Sequence, residues 1–223
     1  MTKKAPKDKT GDRRPEILSA VLAHVPFDGW SNTAMDRAAE DLGLDRGLVH
    51  LAFPEGPIGI IDYFSASADA DMCRALETAP LEKFKLREKI TLAVCKRIEA
   101  VAPHHQALRR SVALLALPIY APDGFTMLCR TVDSMWRAVG DASTDFNYYT
   151  KRLTLAGVYS ATLLYWLNDE SEDHGSTWAF LDRRIEDVMK IEACKTQLKK
   201  PLQSMPDIWG FLGNLRYPGS GPR

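Results

Sequence analysis

Three observations on the sequence predict an all-α fold: apolar residues recur at three- and four-residue spacing along every long segment, alternating strand patterns are absent, and Gly and Pro fall at the joints. The 223 residues, 45% hydrophobic and 26% charged, suffice for one large domain or two small ones with a sizeable core. Basic and acidic side chains balance at 29 each, so attraction to nucleic acid or membrane has to come from a local patch.

The first helix carries Ile17, Leu18, Val21, Leu22 and Val25 and is predicted to end at Pro26, with Asp28-Gly29 as the turn. The second starts near Ser31 or Asn32, both good N-caps, and stops at Gly43. Asp45 caps a short helix, Arg46 to Ala52, that Pro54 terminates; two helices around a short Gly-containing turn form a helix-turn-helix pattern. After Gly56-Pro57 a longer helix reaches about Glu77, and others are predicted near 82–101, 104–117, 122–139, 145–168 and 176–198. Their boundaries are Pro80, Pro103, Pro118 with Pro122, Gly140, and the polar loop Asn168 to Gly175. The expected organisation is a flexible basic arm (1–12), a helix-turn-helix-like region (13–64), a larger helical domain (65–200) and a tethered amphipathic helix (201–223), set apart by Pro201, Pro206, Pro218 and Pro222.

Several function classes drop out. Cys73, Cys95, Cys129 and Cys194 are far apart, without a CxxC or a histidine at ligand spacing, so neither a metal site nor a redox pair is expected and the thiols read as small buried hydrophobes. No apolar run of secretory-signal length follows the basic N-terminus. Leu153 to Leu167 is an uncharged run of 15 residues, short of the roughly 20 that span a bilayer, and reads as a buried helix. Catalysis needs titratable groups that converge, yet His104 and His105 cannot share a helix face, and no phosphate loop, GxSxG or Glu-x-x-His occurs. No enzyme and no cofactor are expected.

The helix order, with Gly43-Leu44 in the turn and Leu-Ala-Phe-Pro at 51–54, resembles the DNA-binding domain of TetR-type repressors. A repressor of that type with a hydrophobic effector pocket is the alternative reading. DNA binding requires cations for the phosphates, however, and Ser31 to Phe64 holds two basic residues, Arg37 and Arg46, against six acidic ones. DNA is therefore not an expected partner.

Two further segments are suggestive. Met205, Ile208, Trp209, Leu212 and Leu215 form one apolar stripe preceded by three lysines, which suits an interfacial membrane helix or one that docks on protein. Asp145, Tyr148, Tyr149 and Arg152 share a helix face that reads either as a partner surface or as a helix start with half-buried tyrosines. The apolar helices at 112–120 and 153–167 either fill a core or line a cavity.

The strings Ser143-Thr144-Asp145-Phe146-Asn147-Tyr148-Tyr149-Thr150-Lys151-Arg152 and Thr177-Trp178-Ala179-Phe180-Leu181-Asp182-Arg183-Arg184-Ile185 closely resemble the lipid-binding accessory family of ubiquinone biosynthesis, the ninth of the coenzyme Q biosynthesis proteins. The similarity extends over most of residues 13 to 195. It implies a TetR-like fold that does not repress, a pocket for isoprenoid lipid or phospholipid, a C-terminal membrane helix and the di-iron demethoxyubiquinone hydroxylase as partner. By motif, the partner patch falls on Asp133, Met135, Asp145, Tyr148, Tyr149 and Arg152, with Tyr148 where most mammalian members carry Trp. Leu114, Leu115, Phe125, Leu128, Leu155, Tyr159, Leu163 and Trp178 are the expected lipid-binding residues. TetR-like folds commonly dimerise, so a homodimer is expected. The basic N-terminus, with its Asp residues and no apolar face, does not resemble a transit peptide, so the expected setting is a bacterial cytoplasm, peripheral to the inner face of the membrane.

Overall fold

The computed structural model describes residues 12–141 and 146–203, with side chains described for 12–141 and 149–190. Those residues form helices joined by turns, with no strand among them. The first helices are α1 (Arg14–Asp28), α2 (Asn32–Asp41), α3 (Arg46–Ala52) and α4 (Pro57–Glu77). They are followed by α5 (Leu86–Val101), α6 (His105–Leu115), α7 (Ala121–Ala138), α8 (Phe146–Trp166) and α9 (Gly175–Gln203).

Local chemistry accounts for most boundaries. Ser31 Oγ accepts from Ala34 N–H at 3.2 Å and Asp45 Oδ1 from Gly47 N–H at 2.8 Å, so both capping residues act as their spacing predicts. Gly43, at φ +61°, makes the left-handed turn between α2 and α3, a conformation that costs a side chain with a Cβ. α5 begins later than its periodicity suggests, because Pro80 starts a short 3₁₀ turn at Leu81–Lys83 and Glu88 reaches back to accept from Lys85 N–H at 2.7 Å.

Two prolines are carried instead of obeyed. α1 continues through Pro26 to Asp28, and α9 continues through Pro201 to Gln203. A proline removes one hydrogen bond to the preceding turn. Close to a helix end that loss does not propagate, and Arg110 Nη2 donates to the Pro26 carbonyl at 2.9 Å. The expected tethered helix lies, beyond Gln203, outside the described residues.

Met1–Leu181 and Asp182–Arg223 form two compact units. In the first, α1 packs on α2 and α6, and α4 packs on α5 and α7. Its core includes Ile17, Val25, Met35, Ile60, Met72, Ile98 and Trp166. Trp30 ties the helix-turn-helix to the helices behind it, since its indole N–H donates to the Ala107 carbonyl at 3.0 Å while its ring meets Phe64. The described part of the second unit is the remainder of α9, where Arg184 pairs with Asp187 at 2.9 Å. Cys129 is exposed and is not the buried residue its type suggests.

Candidate functional site: an apolar cavity with a polar floor

Five helices of the first unit, α4 to α8, enclose a cavity of about 390 Å³. That is within the range of roughly 300–1,000 Å³ usual for small-molecule sites. Helical periodicity selects the lining. α6 contributes Leu108, Ser111, Val112 and Leu115, at i, i+3, i+4 and i+7. α7 turns Phe125, Leu128 and Thr131 to the same space, and α8 adds Tyr159, Ser160, Leu163 and Leu164 from its second half. Gly124 allows α7 to approach α6, because a Cβ there would lie 3.1 Å from the Leu115 Cβ. Phe125 and Leu164, 58% and 51% exposed, stand at the open rim, whereas Ile61, Phe64, Arg97 and Thr131 close the far end.

Of the residues expected to bind lipid, Leu115, Phe125, Leu128, Tyr159 and Leu163 line this cavity, from α6, α7 and α8. Three others do not. Leu114 sits next to the Leu115 stripe on α6 and is turned about 100° away from it. Leu155 is packed into the core a turn before the cavity begins on α8. Trp178 lies on α9, which contributes nothing to the lining, and its indole N–H donates to the Asp173 carbonyl at 3.1 Å.

The floor is a polar cluster that sequence reasoning missed. Arg97 of α5 is 3% exposed. Its Nε donates to Asp69 Oδ1 at 2.6 Å, and its Nη2 donates to the Ser65 carbonyl and hydroxyl at 3.3 and 3.2 Å. Thr131 donates to Asp69 at 2.9 Å, and Arg130 lies 3.5 Å from the same carboxylate while bonding Asp62 at 2.6 Å. Burial alone would lower the Arg97 pKa, but Tyr159 and Asp69 reverse this and raise it. Burial pushes the Tyr159 phenol up, with the Arg97 charge opposing more weakly, so both groups keep their protons at neutral pH.

The expected partner patch separates into parts. Tyr149 is 71% exposed, with Leu153 one turn further on the same exposed face. Arg152 is largely enclosed, its side chain 13% exposed, and pairs with Asp133 at 2.7 Å and Asp141 at 3.4 Å. Asp133 also receives Arg137 at 2.7 Å. Met135 is corrected: at 0% exposure it is a core side chain and cannot touch a partner. Two positions on a helix differ by about 200°, so Asp133 and Met135 face opposite ways. Asp145 lies outside the described residues, the Tyr148 side chain is not described, and Met205, Ile208, Trp209, Leu212 and Leu215 all fall beyond the described residues.

In the helix-turn-helix both cations are engaged by carboxylates. Arg37 bonds Asp28 at 2.7 Å, and Arg46 bonds Glu40 at 2.5 Å with Asp36 at 3.7 Å. α3 also exposes Leu48 and Leu51, apolar side chains that offer nothing to a phosphate.

The structure of a TetR transcriptional regulator from Nitrosomonas europaea superimposes with a TM-score of 0.64 at 20% identity, covering 79% of this chain and 97% of that one. The fold is therefore TetR-like, with a helix-turn-helix at one end and a cavity among the helices that follow. The COQ9 family model matches residues 121–192, the stretch of α7, α8 and the first part of α9. The rat ubiquinone biosynthesis protein COQ9, mitochondrial, is 33% identical over 204 residues, covering 88% of this chain and 64% of its own length. The COQ9-B protein of Xenopus laevis is 31% identical, covering 88% of this chain and 69% of its own. The chain belongs to the COQ9 family, and spans slightly under two thirds of the rat relative. Both relatives are mitochondrial by name, and no helix among the described residues is long and apolar enough to cross a membrane.

Proposed function

We propose that this protein is a non-enzymatic accessory protein of ubiquinone biosynthesis, which takes an isoprenoid quinone intermediate or a phospholipid into the α4–α8 cavity. It presents that lipid, at a membrane surface, to the demethoxyubiquinone hydroxylase. The apolar cavity of about 390 Å³ carries the reading. Its ionisable wall residues, Arg97 and Tyr159, hold their protons at neutral pH, which suits binding better than proton abstraction. Enclosing a polyprenyl chain removes hydrocarbon from water at about 0.8 kcal/mol per CH₂. The membrane contact is assigned to the Met205 to Leu215 stripe and the lysines before it.

Native mass spectrometry of the purified protein is expected to find a co-purifying lipid, with more taken up from liposomes. Protein that stays clean after that exposure overturns the reading.

The hydroxylase face is assigned to Tyr149 and Leu153. Tyr149→Ala is expected to weaken capture of the hydroxylase by tenfold or more while thermal stability stays unchanged, since exposed tyrosines act as interface anchors. This tests the face better than Arg152→Glu, which would set a third carboxylate beside Asp133 and Asp141 and disturb the fold itself. Unchanged capture by the Tyr149 variant would move the face elsewhere.

A further inference from the structure

Two donors of the floor cluster, Arg97 Nη1 and Arg130 Nε, are buried without a hydrogen-bond partner among the described residues, and of these two residues it is Arg97 that lines the cavity. Arg97 is held in place by Asp69 and Ser65, yet its Nη1 is buried without a hydrogen-bond partner among the described residues. No hydroxyl of the lining, Ser111, Thr131 or Tyr159, accepts from it, and the Thr131 and Ser111 hydroxyls donate to Asp69 and to the Ala107 carbonyl at 3.0 Å. Buried polar groups are normally satisfied, and an orphan at a binding site calls for a partner the protein does not supply.

We infer that Arg97 is the polar anchor of the cavity: Nη1 donates to an uncharged oxygen, so the ligand is a hydrophobic molecule with a neutral oxygenated head that lies innermost while its chain trails to the rim. This rests on the cavity being the lipid site proposed above.

Charge decides which oxygen. Arg97 and Arg130 face Asp69 and Asp62, so the floor is already balanced. A phosphate or carboxylate placed against Nη1 would add an unmatched negative charge near Asp69, which lies only 2.6 Å from the Arg97 Nε. A plain hydrocarbon would leave the donor orphaned. A ring carbonyl, methoxy or hydroxyl oxygen avoids both costs.

Size agrees with a head-first pose. A cavity of about 390 Å³ has room for roughly a dozen water-sized groups, enough for a substituted ring and the beginning of a chain. The remainder lies across the exposed apolar rim at Phe125 and Leu164.

The test uses the full chain and three probes with matched ten-carbon chains: an alkyl dimethoxybenzoquinone, the alkylbenzene and the alkyl phosphate. Each is titrated against a fluorescent apolar dye held in the cavity. The quinone is expected to bind at least tenfold tighter than either of the others. Arg97→Lys retains the charge opposite Asp69 but loses the fork, and is expected to reduce that preference below threefold with alkylbenzene binding unchanged. If no probe displaces the dye or binds, the cavity reading fails and takes the anchor with it. Equal binding of all three leaves the cavity reading standing and overturns the anchor. Preference for the phosphate overturns it in favour of an anionic head. Should Arg97→Lys fail to fold, the wild-type ranking of the three probes decides alone.

Discussion

Asp69→Ala is expected to lower the free energy of unfolding by about 3–5 kcal/mol, the range found when one partner of a buried ion pair is removed. Asp69 and Arg97 are both almost fully enclosed, and the carboxylate gathers Arg97, Thr131 and the nearby Arg130 into one cluster from α4, α5 and α7. Deleting it leaves the Arg97 charge in an apolar surrounding and takes the acceptor from the Thr131 hydroxyl. Urea unfolding should show the loss as a lower midpoint with an unchanged slope. A control separates a stranded charge from lost packing. The double variant Asp69→Ala/Arg97→Met removes both charges and is expected to be more stable than Asp69→Ala, because buried pairs are often replaceable by apolar groups. A double variant weaker than the single one would show that packing, not charge, dominates.

Met135→Ala is expected to cost about 2–5 kcal/mol through transfer and cavity terms, since the side chain is wholly enclosed on the inner face of α7. For a chain of this size that corresponds to a fall in melting temperature of several degrees, at roughly 2–4 °C per kcal/mol. Met135→Leu nearly preserves volume and is expected to cost less than about 1.5 kcal/mol. If the Leu variant keeps both stability and hydroxylase capture while the Ala variant loses them together, Met135 acts through the fold. Lost capture by the Leu variant at full stability would instead restore it to the docking face.

Sequence reading succeeded where the cause is local. Ser31 and Asp45 are capping residues whose partners lie two or three residues away, and Gly43 marks a turn that needs positive φ. The helix-turn-helix and the α-helices among the described residues were legible on that scale. Pro26 and Pro201 misled because a proline near a helix end removes only one bond, so α1 and α9 run on to Asp28 and Gln203. The cavity was half legible. α8 is apolar all round, so composition could not tell Leu155, which packs in the core, from Leu163, which faces the empty space. The Asp69–Arg97 pair was beyond reach, since its members lie 28 residues apart on different helices and each alone looks like an ordinary surface charge. Met135 entered the partner patch through motif position alone; the 100° step of the helix argues against sharing a face with Asp133.

The modest volume of the cavity has a bearing on the tail length of the lipid proposed for it. Once a chain is long enough to leave the mouth at Phe125 and Leu164, each added isoprene unit lies outside the enclosure and meets the same surroundings as the one before it. Affinity should then rise over the first units and level off, making the protein selective about the ring and indifferent to tail length. Such a carrier would need no remodelling to accept quinones that differ only in tail length.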